Sequence, residues 1–162
     1  MTENSQDVWK NKYSYLSSVK DFDKNNPKFK WQKTFSNNEL TNLFPKIGGL
    51  KNIEILDITS TGRVKNVKLI GAYSSYQMSG ADLRKRLGLK STFFRFKFFE
   101  EELNEKFPIK KGLIVFGQGS GHGVGMSQWG AKYMASRGQK AERILKYFYK
   151  GVKIKPFRKD YL

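Results

Sequence analysis

The fourteen residues Gly117-Gln-Gly-Ser-Gly-His-Gly-Val-Gly-Met-Ser-Gln-Trp-Gly130 constrain this chain more than any other stretch. They hold six of its 15 glycines and its single histidine, His122. Glycine at every second position from 117 to 125 strips most of the loop of side chains. The backbone can then take positive φ angles, and another molecule can approach it closely. In regular structure each glycine costs roughly 0.5–1 kcal/mol relative to alanine, so such an alternation needs a use. The run Leu113-Ile-Val-Phe116 reads as a strand leading in, and a helical pattern follows. The loop is not a dinucleotide fingerprint, because the third glycine of a G-x-G-x-x-G register falls on His122, Val124 or Met126. Nor is it a phosphate-binding loop, since Gly130 is followed by Ala131 and Lys132 rather than by Lys and Ser or Thr. A tight strand-to-helix turn with no ligand remains an open alternative.

At 162 residues, with 38% hydrophobic and 15% aromatic composition, the chain can bury a proper core as one domain. No apolar run approaches the roughly 18 residues of a membrane-spanning helix. The first residues, Met1-Thr-Glu-Asn-Ser-Gln-Asp7, carry neither a basic nor an apolar leader region, so they predict no secretion signal and, if Met1 is the true start, a cytoplasmic protein. Cysteine is absent, which excludes disulfides and thiolate metal sites. Lys and Arg number 31 against 14 acids, a net charge of +17. Such a charge favours polyanions as partners: nucleic acid, acidic cell-wall polymers or anionic lipid surfaces. A generally basic, solvated surface is the plain alternative.

Periodicity and punctuation predict the class as α+β, a single domain with mostly antiparallel sheet, short helices and two C-terminal helices. Residues 1–30 read as an arm, in which Trp9, Tyr13, Tyr15 and Leu16 pack onto a domain formed by residues 31–162. Trp31–Phe35 reads as a strand, and Ser36 with Glu39 forms a capping box for a helix over 37–44. Ile53–Ile58 and Val64–Ile70 read as a hairpin turning at Gly62, with a third strand over Tyr73–Met78. Ser79 caps a helix over Gly80–Leu87 that Gly88 ends. Phe94, Phe96 and Phe98 alternate with Arg95 and Lys97, the pattern of a half-buried strand, and core packing is the expectation for these rings rather than a stacking platform. Glu100–Glu105 reads as a solvated acidic connector rather than a source of catalytic acids, which need burial. Ser127 is expected to cap a helix ending at Gly138, and a last helix over 140–149 places Ile144, Leu145 and Phe148 on one face. The tail, Lys153–Lys159, is basic and expected to run along the surface.

Chemistry concentrates at the glycine loop. His122, between two glycines, is expected to be reachable. It has no second His, no Cys and no neighbouring carboxylate, so no metal site and no cofactor is expected. It reads either as a hydrogen-bonding group toward a ligand and an auxiliary to an acid supplied from elsewhere, or as a brace bonded to backbone carbonyls. Ser127 and Gln128, with the free N–H groups of the helix start, form a partly positive polar cradle, unless Ser127 merely caps. Trp129 could stack on a ligand, but core packing is the expectation for a tryptophan on a helix.

Gly-His-Gly-Val-Gly-Met-Ser-Gln-Trp-Gly-Ala over 121–131, Met134-Ala135, Gly138, Ile144-Leu145 and Tyr147-Phe-Tyr149 with Gly151 resemble the C-terminal signature of the stage II sporulation protein D (SpoIID/LytB) family of peptidoglycan-acting proteins. Ser60–Val64, Ser79–Arg84 and Leu87–Thr92 resemble its middle segments, and Tyr15-Leu16 with Val19 and Asp21 the linker before them, so the likeness covers nearly the whole chain. The resemblance implies a lytic transglycosylase, which cuts between N-acetylmuramic acid and N-acetylglucosamine without water, using one glutamic acid. That glutamate lies in an earlier segment followed by an alanine-rich helix ending in Arg-Thr-Tyr-Ala. No such segment occurs in these residues, so the likeness is to the part after the catalytic helix, and this chain alone is expected to bind glycan weakly without cleaving it. The implied substrate-binding residues are Gly119, Gly121, His122, Gly123, Gly125, Ser127 and Gln128, with Arg84 and Ser91 in the matching upstream segments; Arg84 could instead pair with Asp82, and Ser91 could simply end a loop. The implied partners are peptidoglycan glycan strands and other cell-wall enzymes, and the implied location is the cell envelope. A non-catalytic wall-binding or amidase-enhancing module is the alternative reading. A nucleic-acid binder ranks third, since no nucleic-acid motif is present.

Overall fold

Strand Phe94–Glu101 (β5) shows why the chain folds as it does: Phe94 is buried and Phe96 and Phe98 are half-buried, while Arg95 and Lys97 point to solvent. In the computed structural model, which describes residues 1–9, 11–23, 26–27, 29–101 and 110–156, β5 lies antiparallel to Lys110–Gln118 (β6). Lys30–Ser36 (β1) flanks β6 on its other side, giving the sheet order β1-β6-β5. The central place falls to the strand with the most apolar inward face, Leu113 and Val115. A second antiparallel sheet, order β2-β3-β4, consists of Asn52–Ile58 (β2), Val64–Ile70 (β3) and Ser75–Ser79 (β4). Gly62 takes the β2–β3 turn at φ +88°, and a bulge interrupts the pairing between Ile55 and Asp57.

The expected α+β class, antiparallel pairing and two C-terminal helices are what the structure shows. Helices Asn37–Leu43 (α2), Gly80–Leu87 (α3), Gln128–Ser136 (α4) and Ala141–Phe148 (α5) stand within a residue or two of their expected places. The Ser36–Glu39 capping box is complete, and Ser79 and Ser127 each accept a backbone N–H from three residues on. Two elements had no sequence signal strong enough to read: a single turn over Ser5–Val8 (α1) and a 3-10 turn over Pro45–Ile47. The acidic connector beyond Glu101 and the tail beyond Pro156 fall outside the described residues.

The residues group into two compact units, Asn26–Gly123 and Met1–Asn25 with Val124–Leu162. In the first, both sheets with α2 and α3 enclose one core that includes Phe35, Leu40, Phe44, Leu69, Leu83 and Leu113. In the second, Val19, Met134, Ile144 and Phe148 form a smaller core. The N-terminal segment belongs to this second unit and is folded back on itself by hydrogen bonds: Thr2 N donates to the Val19 carbonyl at 2.8 Å, and Ser5 N to the Leu16 carbonyl at 3.0 Å. Of the residues expected to pack the arm, Leu16 turns inward beside Val19, while Trp9, Tyr13 and Tyr15 stay 40% exposed. Lys150 N donates to the Tyr15 carbonyl at 3.0 Å, the Tyr147 hydroxyl donates to the Lys20 carbonyl at 2.7 Å, and the Phe22 ring stacks on Tyr133.

Trp31 and Gly117 face each other across β1 and β6. A Cβ on Gly117 would lie 2.0 Å from Trp31 Cζ2, so the indole occupies the room a side chain would need. Gly117→Ala is therefore expected to destabilise the fold by about 1–3 kcal/mol, the usual cost of overpacking. The same change should cost clearly less in a Trp31→Ala background, a coupling that denaturant titrations of the four variants would measure.

Candidate functional site

The glycine loop begins where β6 ends, and its first half is built into the Asn26–Gly123 unit by hydrogen bonds that extend past the strand. Gln118 N donates to the Phe93 carbonyl at 2.9 Å, Gly119 N to Phe29 at 2.7 Å, and Gly121 N to Lys90 at 2.8 Å. Trp31 Nε1 donates to the Gly119 carbonyl at 2.8 Å. Ser91 is 0% exposed and pairs with Gly121 in a parallel bridge. Its hydroxyl donates to the Gln118 carbonyl at 2.6 Å and accepts Phe93 N at 3.2 Å. Ser91 thus stands next to the loop as a brace beneath it.

On this support His122 is exposed, between Gly121 at φ +84° and Gly123 at φ +83°. Burial of its ring's surroundings comes first among the causes that lower its pKa, followed by the positive charges of Arg84 and Arg63. The imidazole is therefore neutral at neutral pH, with one ring nitrogen able to donate and the other to accept. Arg63 lies across the loop: a Cβ on Gly123 would meet its Nη2 at 2.7 Å and its Cζ at 2.8 Å. The guanidinium also stands 5.9 Å from the centre of the Phe93 ring. Arg84 Nε donates to the Leu89 carbonyl at 3.2 Å, and Asp82 accepts the Ser79 hydroxyl at 2.6 Å, its own helix cap. The expected candidates Gly119, Gly121, His122, Gly123, Arg84 and Ser91 thus share one end of the β1-β6-β5 sheet and α3. Arg63 joins them unforeseen. Its hairpin position after Gly62 was legible, but its reach to Gly123 is a tertiary fact.

The second half of the loop, from Val124, belongs to the other unit. Val124 pairs with Glu3 in a parallel bridge, and Glu3 is 0% exposed. Gly125 is buried near Tyr149 and Leu16. Ser127 caps α4, accepting Gly130 N at 3.0 Å. Its hydroxyl also bonds the carboxyl group of Asp21, whose Oδ1 accepts Phe22 N at 2.7 Å. Burial, then the neighbouring charge of Asp23, raises the Asp21 pKa above the ordinary aspartate value. Gly130 is required by the same arrangement, since a Cβ there would lie 2.3 Å from Asp21 Oδ1. Gln128 is exposed. Trp129 is 37% exposed under the Lys132 ammonium at 4.8 Å, so it does not pack in the core as expected. The inward place on the helix is taken by Gly130, against Phe148. Sequence reasoning placed Asp21 in a linker and passed over Glu3, because burial of a carboxyl group leaves no local pattern.

Among the described residues no group of three or more His, Cys, Asp or Glu side chains is placed to hold a metal ion. None of the described helices is long and apolar enough to cross a bilayer.

What emerges is an α+β protein in which one neutral imidazole is displayed on bare backbone beside two arginines. The chain belongs to the family described as "Domain of unknown function (DUF8618)", which matches residues 3–125 and so takes in His122 and the glycines around it. It is similar to Stage II sporulation protein D of Bacillus subtilis (strain 168), with 34% identity over 155 residues, 94% of this chain and 41% of the relative. The protein of the same name from Bacillus amyloliquefaciens is 33% identical over 157 residues, again 94% of this chain and 41% of the relative. An "Amidase enhancer" of Bacillus subtilis (strain 168) is 25% identical over 201 residues, 93% of this chain and 27% of the relative. The resemblance read from the glycine motif is borne out, and the chain spans 41% of the length of the two sporulation relatives.

Two titrations follow. The His122 ring protons should titrate below the ordinary histidine value of 6.5 in an NMR pH series, and Arg84→Gln should move the midpoint upward by removing a positive charge that opposes imidazolium. For Asp21 the folded pKa is raised, so its contribution to stability is full below the unfolded value and is lost as pH rises through the folded one. Relative to Asp21→Asn, the wild type should therefore lose stability as pH rises through and above the ordinary aspartate value, as unfolding midpoints of the two proteins would show.

Proposed function

We propose that this chain binds the glycan strands of peptidoglycan through the His122 end of the glycine loop, as the substrate-holding part of a SpoIID-like lytic transglycosylase at the cell envelope, and does not cleave them by itself. The observation that carries this reading is the neutral imidazole of His122, set between glycines that leave the backbone bare and within the field of Arg63 and Arg84. Sugar hydroxyls need partners that both donate and accept, which a neutral imidazole and exposed backbone groups supply. The lactyl or peptide carboxylate of a muramic acid residue needs a cation, which an arginine fork supplies. The exposed Gln128 amide at the start of α4, beside the capping Ser127, offers a second polar group in its own unit, suited to an N-acetyl carbonyl.

Cleavage without water requires an acid to protonate the glycosidic oxygen as the bond to C1 breaks. The muramic 6-hydroxyl then closes on C1 and gives its proton to the resulting carboxylate, leaving an anhydro ring. In this proposal that acid comes from outside these 162 residues. The similarity to an amidase enhancer favours a second reading, in which the bound glycan is presented to an amidase rather than to a transglycosylase.

Purified chain is expected to co-sediment with peptidoglycan and to shift its His122 and Gly121–Gly123 amide signals with a muropeptide. His122→Ala or Gly123→Ala should weaken that binding about tenfold, the scale of one lost hydrogen bond in a polar site. Muropeptide that leaves those signals unmoved would end the proposal. Release of anhydro-muropeptides by the chain alone would overturn its non-catalytic part, and stimulation of an amidase would select the second reading.

A further inference from the structure

The turn between α4 and α5 carries a feature that the glycine loop does not use. Phe22, Tyr133, Tyr147, Arg137, Arg143 and Lys146, all in the second unit, line a groove of about 480 Å³. Gln139 and Met134 complete it. A second groove of about 490 Å³ adjoins it through Gln139, Arg143 and Lys146 and runs over the start of α5. Three observations distinguish this place from an ordinary basic surface. The Oε1 atom of Gln139 is buried with no hydrogen-bond partner. Lys146 pairs with Glu142, but among the described residues neither Arg137 nor Arg143 has a carboxylate partner. Lys140, the N-cap of α5, supplies no side-chain cap to the first N–H groups of the helix, and it lines the second groove.

We infer that this groove is a second binding site, for an acidic sugar: a sugar unit of a glycan chain that carries a carboxylate. The arginines supply planar forks for the carboxylate, and the helix start adds partial positive charge. The buried Gln139 oxygen lacks a donor that a sugar hydroxyl would provide. The apolar wall of Phe22, Tyr133, Tyr147 and Met134 suits a compact ring rather than a free inorganic anion. Nucleic acid fits less well, because the ring faces that bases would stack on are already engaged. Tyr133 stacks on Phe22 at 5.1 Å and lies under Arg137, and Lys150 stands over Tyr147 at 5.0 Å. The groove shares no residue with the His122 site and lies in the other unit, so it gives the chain a second hold on a wall polymer, or a hold on a different acidic glycan.

The test uses the full chain and three fluorescent probes: an oligogalacturonate, the neutral chitohexaose and an oligo-dT strand. The double variant Arg137→Gln/Arg143→Gln should weaken oligogalacturonate binding about tenfold or more, as loss of charge-assisted hydrogen bonds does. Lys65→Gln/Lys97→Gln removes the same charge from exposed positions elsewhere and should change it by about twofold or less. Gln139→Ala should weaken it with no change of charge. Chitohexaose binding should be untouched by all three, which separates this site from the one at His122. Equal losses in both double variants would reduce the groove to unspecific charge. Absence of oligogalacturonate binding, or tighter binding of oligo-dT with the same loss in Arg137→Gln/Arg143→Gln, would overturn the assignment.

Discussion

The hydroxyl of Ser91 and the carbonyl of Gln118, 2.6 Å apart, hold together what would otherwise be a loose exit from the central strand. β6 ends at Gln118, where a glycine-rich chain would normally lose its order. Here the ladder continues through Gly119 and Gly121 to partners on both sides, and Ser91 closes it from below. A buried hydroxyl that donates and accepts at once is strongly specified, since loss of either partner leaves a desolvated polar group. Loop and sheet thus behave as one piece of backbone up to Gly121. His122 follows directly on that piece.

Much of this was legible in the sequence. Capping residues, turn glycines and the alternation of phenylalanines along β5 each report local physics, and local physics survives folding. The glycine motif was legible as a display of backbone and as a family resemblance. The misreadings share one cause. Trp129 was assigned to packing because large rings usually pack, yet the inward position on α4 went to Gly130. Arg63, Asp21 and Glu3 were passed over because their roles depend on neighbours distant in sequence: a guanidinium across Gly123, a carboxyl group beside Ser127, a bridge to Val124. Periodicity carries no trace of such meetings.

The excess of positive charge is not spread without purpose. In one unit it adds to burial, the larger cause, in lowering the pKa of His122, so that the ring offers hydrogen bonds instead of a charge. In the other it gathers around the α4–α5 turn, where Arg137, Arg143 and Lys146 line one groove. One sign of charge therefore serves two chemistries, depending on whether a titratable ring or an empty groove receives its field.

The alternating glycines, finally, are not interchangeable. At 117 the obstacle to any larger residue is volume, because an indole already fills the space. At 121 there is nothing within 4 Å of where a side chain would begin, and the obstacle is handedness, a φ of +84° that L-residues avoid. Drift in related sequences should follow this division. Position 117 should vary only in step with position 31, whereas position 121 should accept asparagine or aspartate, which tolerate the left-handed region best. What looks in one sequence like a single repeated letter is two separate constraints, and an alignment that scores them alike would blur both.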